Sequence, residues 1–183
     1  MKHPSKIRIL EPVILFVVIG VLIVYVVNAL NTQDWWWFRS QAVEVVPSRM
    51  VIVQDGERTT LVPGSPMFDR LAEAAQISLS HPNNTDLIDL GISDDTLAYY
   101  ESSGVLLELY FDRPVQFHTS YRTGEPTQLL VPIEGRHAGN GYFFRGDQGA
   151  WWFGAMRMAN PAPLLDAMAA FGYRVDRGAA ASN

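Results

Sequence analysis

Cysteine is absent from all 183 residues, which removes disulfides, thiolate metal sites, iron-sulfur clusters and cysteine nucleophiles from consideration. Lysine is almost as scarce: Lys2 and Lys6 are the whole supply, and both precede residue 10. Everything after them therefore lacks a residue for Schiff-base chemistry, for a Ser-Lys nucleophile pair or for a phosphate-loop lysine. Charge is missing from one long stretch. Pro12 to Gln33 carries none, and Val13 to Leu30 is apolar except for Gly20, Tyr25 and Asn28. At about 1.5 Å per residue such a run spans a hydrocarbon core of about 30 Å, so a transmembrane helix is expected over 12–33.

What is present divides at that run. Lys2, Lys6 and Arg8 against Glu11 give the first 31 residues a net +2, whereas 11 arginines against 18 acidic residues give the remainder −7. An acidic surface repels phosphate backbones, and no basic stripe interrupts it, so nucleic acid is not an expected partner. The basic cluster before the span predicts a cytoplasmic tail over 1–11 and an extracytoplasmic domain beyond. A cleavable signal peptide is the rival, with Val27 and Ala29 as small residues before a cut at Leu30. The apolar run exceeds the roughly 7–15 residues of a signal core, which favours retention. Asp34 to Arg39, Asp-Trp-Trp-Trp-Phe-Arg, then reads as an interfacial aromatic belt over 34–39, with Trp35, Trp36 and Trp37 as interaction residues toward lipid or a neighbouring membrane protein.

The roughly 150 residues that remain suit one domain, taken as 40–173 with a disordered tail over 174–183. Met50 to Gln54 and Glu57 to Val62 flank Asp55-Gly56, a hairpin signature. Ser65-Pro66 caps an amphipathic helix to about Leu79, and Ser93 caps a short helix through Tyr100. Between them, His81 to Asp95 reads as a solvated polar loop. Its four aspartates lack the alternating spacing and central glycine of a calcium loop, and its Asn83-Asn84-Thr85 triplet has meaning only in a glycosylating host.

Alternation then predicts three strands, Val105 to Phe111, Val115 to Tyr121 and Thr127 to Ile133, with Pro132 pointing to an edge or strand end. Tyr142 to Met158 predicts an aromatic hairpin about Gly146 to Gly149. A symmetric turn would set Phe144 opposite Trp151 and Phe143 opposite Trp152, making Phe143 and Trp152 the candidate interface side and the other aromatics the core side. Asn160-Pro161 begins a last helix stopped by Gly172. The expected class is α+β: one N-terminal transmembrane helix, then an antiparallel sheet of six or seven strands with two main helices packed on one face.

The loop Gly135 to Gly141 places Arg136 beside His137, a candidate site for an anion or carboxylate, although it lacks a dinucleotide fingerprint. No catalytic spacing emerges. A hydrolase reading would need His118 or His137 with Asp112 or Glu134, without a Gly-x-Ser-x-Gly elbow or a His-Glu-x-x-His helix. Two isolated histidines make no metal site, and their alanine variants are expected to fold. No metal and no cofactor is expected. The functional expectation is a membrane-anchored interaction, assembly or sensing module, an accessory subunit of a membrane complex, with a ligand-binding envelope domain as the alternative.

Overall fold

Asp55 and Gly56 take left-handed backbone angles, φ 51° and 86°, as a two-residue hairpin turn requires. In the computed structural model, which describes residues 10–32, 34–39 and 42–178, this turn joins β1 (Arg49–Gln54) to β2 (Glu57–Leu61). Glycine has a second role at 56, since a Cβ there would stand 2.1 Å from the Glu101 carbonyl oxygen. The remaining strands are β3 (Val105–Tyr110), β4 (Gln128–Glu134), β5 (Tyr142–Asp147), β6 (Ala150–Trp151) and β7 (Met156–Arg157). They form one antiparallel seven-stranded sheet in the order β2-β1-β3-β4-β5-β6, with β7 also paired to β5.

Among the described residues four helices accompany it: α1 (Leu10–Thr32), α2 (Pro66–Leu79), α3 (Asp94–Tyr100) and α4 (Ala162–Ala170). Ser65 Oγ accepts the Phe68 N–H and Ser93 Oγ the Thr96 N–H, so both expected serine caps are formed. Asn160 Oδ1 accepts the Ala162 N–H at the start of α4. Ile52, Leu107, Leu129 and Phe143 meet Phe68, Leu71 and Leu79 of α2 and Leu164 and Met168 of α4 on one sheet face. Val51, Val53, Leu106, Leu130 and Phe144 meet Tyr100 and Leu97 of α3 on the other.

Coverage of the second face departs from the expected two-layer arrangement. Ile88, Leu90 and Ile92 pack there, and backbone bridges pair Pro82 with Met158 and Ile88 with Ala155. The polar interlude is therefore a covering segment rather than a solvated loop: its apolar residues turn inward and its aspartates stay outside. Burial on both faces also explains the continuous apolar runs of β3 and β4.

Three further expectations are corrected. Val115 to Tyr121 is not a strand: β3, which it follows, already has β1 and β4 on its two sides, so it cannot pair back onto β3. Its alternation instead serves an irregular loop that drops Val115 and Phe117 into the core and is tied at its base by Phe111 N–H to Thr127 O and Val115 N–H to Pro126 O. Pro132 lies in a strand flanked on both sides. A register shift between Val105 and Leu106 leaves Ile133 as an extra residue, and β5 pairs only as far as Leu130, so neither neighbour needs the missing N–H. The tail is pinned through residue 178: Arg174 reaches Asp55 at 2.6 Å and Glu134 at 3.4 Å, and the Asp176 N–H donates to Ile133 O at 2.8 Å. Residues 179–183 and the basic cluster Lys2, Lys6 and Arg8 lie outside the described residues.

The apolar helix α1 begins two residues before Pro12 and is long and apolar enough to cross a membrane. Its side chains stand largely exposed until its last turn, where Ala29 is 2% exposed.

Candidate functional site

The chain leaves α1 through Asp34, which is 3% exposed. Its Oδ1 accepts the Trp36 N–H at 2.8 Å, and its Oδ2 accepts from His118 Nδ1 at 2.8 Å. Thr32 Oγ1 donates to Asn28 O, closing the end of the helix, and the Tyr25 hydroxyl donates to Trp35 O. The aspartate side chain thus folds its own backbone into a turn while holding the loop that follows β3. On that turn Trp35, Trp36 and Phe38 are exposed, Trp37 is half-buried, and Arg39 stacks on Trp36 at 4.9 Å.

Beside this junction is a cleft of about 750 Å³, lined in part by Glu44, Val46, Ser48, Asp112, Arg113 and His118. One wall, residues 42–48, is extended and clasped by Gln76, whose Nε2 donates to Val43 O at 2.8 Å and whose Oε1 accepts from Val45 N at 2.6 Å. With Nδ1 turned to a buried carboxylate, His118 has the geometry of an oriented base, and its Nε2 has no partner among the described residues. The cleft hydroxyl is not set against it: Ser48 Oγ donates to Tyr110 O. Glu44 and Asp112 oppose Arg113, so the lining has no single sign.

His118 is therefore brought to neither Asp112 nor Glu134 as an ion-pair partner; its partner lies 84 positions earlier. Arg136 and His137 adjoin on their loop but work for the fold. The Arg136 guanidinium stacks on Tyr99 at 4.9 Å and donates to Asp95 O at 3.1 Å, while its carbonyl accepts from the Tyr100 hydroxyl. These contacts clip α3 to the loop. His137 adopts φ 63° with its ring 5.9 Å from that of Phe144. Burial, and then the Arg136 charge, hold its pKa below the ordinary value.

The aromatic hairpin turns one residue away from the symmetric expectation. Gln148 and Gly149 form the turn, so Trp151 pairs with Gly146 and not with Phe144, and the chain breaks away before β7 pairs Met156 with Phe143. Gly146 is required there, since a Cβ would lie 2.8 Å from the Trp151 ring that crosses it. Phe143 lies on the face that α2 and α4 cover, so it is fully buried and cannot be a surface contact. Phe144 is as deeply buried on the opposite face. Trp152 is half-buried, over Gly124 and 5.8 Å from the Arg145 guanidinium.

Two charged residues matter more than sequence reasoning allowed. Arg145, 3% exposed, donates to the carbonyls of Thr123, Phe153 and Gly154, and burial pulls its pKa below the usual guanidinium value. Glu108, 6% exposed, accepts from Arg58 at 2.5 Å and from the Tyr110 hydroxyl at 2.8 Å. Burial first, then that hydrogen bond, pushes the Tyr110 phenol up to about 12. Each was visible as a charge set directly against apolar strand residues, a pattern that demands a partner or a purpose. Among the described residues no three His, Asp or Glu side chains gather as metal ligands. No protein-family model matches the chain, and neither a curated protein nor a solved structure matches it.

Proposed function

We propose that this chain is a single-pass membrane protein whose α+β domain acts outside the cytoplasm as a non-catalytic interaction, assembly or sensing module, an accessory subunit of a membrane complex. The observation that carries the reading is the contrast along α1: Val13 to Leu30 presents large apolar side chains to its surroundings on all sides, whereas Ala29 and Asp34 at its end are covered. Apolar surface of that extent calls for lipid or neighbouring helices. The covered end, joined to the domain through Asp34 and His118, supports retention of the helix over its removal as a signal. Trp35 and Trp36, exposed at the junction, suit the bilayer interface or a partner seated on it. Nucleic acid is disfavoured by the acidity of the domain.

Mass spectrometry of the membrane-extracted protein tests retention: the amino terminus should be Met1 or Lys2, and a start at Leu30 would overturn the anchor. Protease added to intact spheroplasts should digest residues 40–183; protection until lysis would reverse the orientation. Gentle solubilisation should yield a stoichiometric complex lost on Trp35→Ala/Trp36→Ala, and a monodisperse monomer in both forms would refute the accessory-subunit role.

A further inference from the structure

Cross-strand register sets Arg58, Val53 and Leu106 in one row on the second sheet face, and Thr60, Val51, Glu108 and Leu130 in the next. α3 covers only part of these rows. Between it and Trp151 is a pocket of about 440 Å³ with Val53, Leu97 and Leu106 as apolar lining and Arg58, Glu101 and Glu108 as its charged groups. Glu108 is unusual among them: its side chain is 8% exposed, on a central strand, and both of its contacts fall on one oxygen, Oε2. Its Oε1 has no partner among the described residues. That oxygen is open and Glu108 lines the pocket, so a donor entering there would complete the carboxylate.

We infer that this pocket binds a cationic nitrogen carried on an apolar stem, an alkylammonium or guanidinium group. Its N–H donors would meet Glu108 Oε1, its stem would lie on Val53, Leu97 and Leu106, and the indole of Trp151 offers an aromatic wall for the charge. Two carboxylates against one guanidinium give the lining a net negative charge, and Arg58 already engages Glu108, so an anion has no free cation to meet. Arg58, 55% exposed at its side chain, shows the chemistry in place: the carboxylate accepts a guanidinium from the solvent side. The nitrogen could belong to a lysine or arginine of a protein partner or to a free amine, and the same groups would hold either.

Calorimetric titration of the full chain in nanodiscs with cadaverine, and with the peptide acetyl-Ala-Lys-Ala-amide, tests this, with 1-pentanol as the uncharged control. Both amines should saturate below about 10 mM and pentanol should bind at least about tenfold more weakly. Glu108→Gln should weaken the amines by about tenfold or more, since one charge-assisted bond is lost. Arg58→Met, which removes the competing cation, should tighten them severalfold, a gain that a damaged fold would not produce. Tighter binding of the peptide points to a partner protein, and tighter binding of cadaverine to a free amine. No saturable binding, or binding unaltered by Glu108→Gln in a variant that melts normally, overturns the assignment. Loss of binding in Arg58→Met would also overturn it, because Arg58 would then be the binding group.

Discussion

His118 Nδ1 stands 2.8 Å from Asp34 Oδ2, so one hydrogen bond joins the turn after the apolar helix to a loop 84 positions later. Sequence alone leaves His118 isolated and its replacement harmless. The buried carboxylate reverses that expectation. His118→Ala should cost about 1–3 kcal/mol by stranding Asp34, and should speed tryptic cleavage after Arg39. Unchanged melting and cleavage would mean that the pair does not hold the junction.

Arg145 makes a second prediction. Its three carbonyl acceptors belong to loops with no strand partners at those positions. Arg145→Met would leave all three unmet, two of them buried, at about 3–5 kcal/mol in urea denaturation. Arg145→Lys should rescue little, because a single ammonium cannot span what a planar fork does. Full rescue by lysine would show that charge alone is needed there.

His137 gives a pH dependence. Its folded-state pKa is lowered from the ordinary 6.5, so the unfolded chain binds a proton that the fold resists. Stability should accordingly fall as pH drops through about 6.5 and level off once the folded imidazole also titrates. His137→Asn, which tolerates the left-handed backbone, should flatten this step. A wild-type profile that is already flat between pH 7 and 5 in thermal melts would contradict the burial of the ring.

Neighbours in sequence on opposite faces, Phe143 and Phe144 are both fully buried. Each alanine substitution should cost about 3–5 kcal/mol, while Trp36→Ala should stay within about 0.5 kcal/mol, as exposed positions do. A cost below about 1 kcal/mol for Phe144→Ala would mean that the second face is not covered.

The local signals in this chain were strong where a few adjacent residues decide the outcome. Asp55-Gly56, Ser65-Pro66 and Ser93 specify a turn and two caps, and all three form. Signals failed where the outcome depends on distant partners. The alternation of Val115 to Tyr121 is real, but whether it becomes a strand depends on whether its neighbour β3 has a free side, and β1 and β4 occupy both. Alternation does put Phe143 and Phe144 on opposite faces, but whether either face is open depends on the helices and the 81–95 segment that cover them. Asp34 and His118 share no spacing that could announce them. Arg136 and His137 were conspicuous by adjacency, whereas Glu108 and Arg145 needed the question of what a charge does against apolar strand residues.

The pinned tail bears on the order in which the molecule can be completed. Ile133 presents its carbonyl to Asp176, and Asp55 and Glu134 wait for Arg174. During synthesis every strand described here emerges before these closing residues do, so the outer half of β4 stays unsealed until Asp176 has emerged. A chain released at Gly172 would hold every strand and helix of the described residues yet keep an adhesive β4 margin, making truncation a route to self-association more than to unfolding.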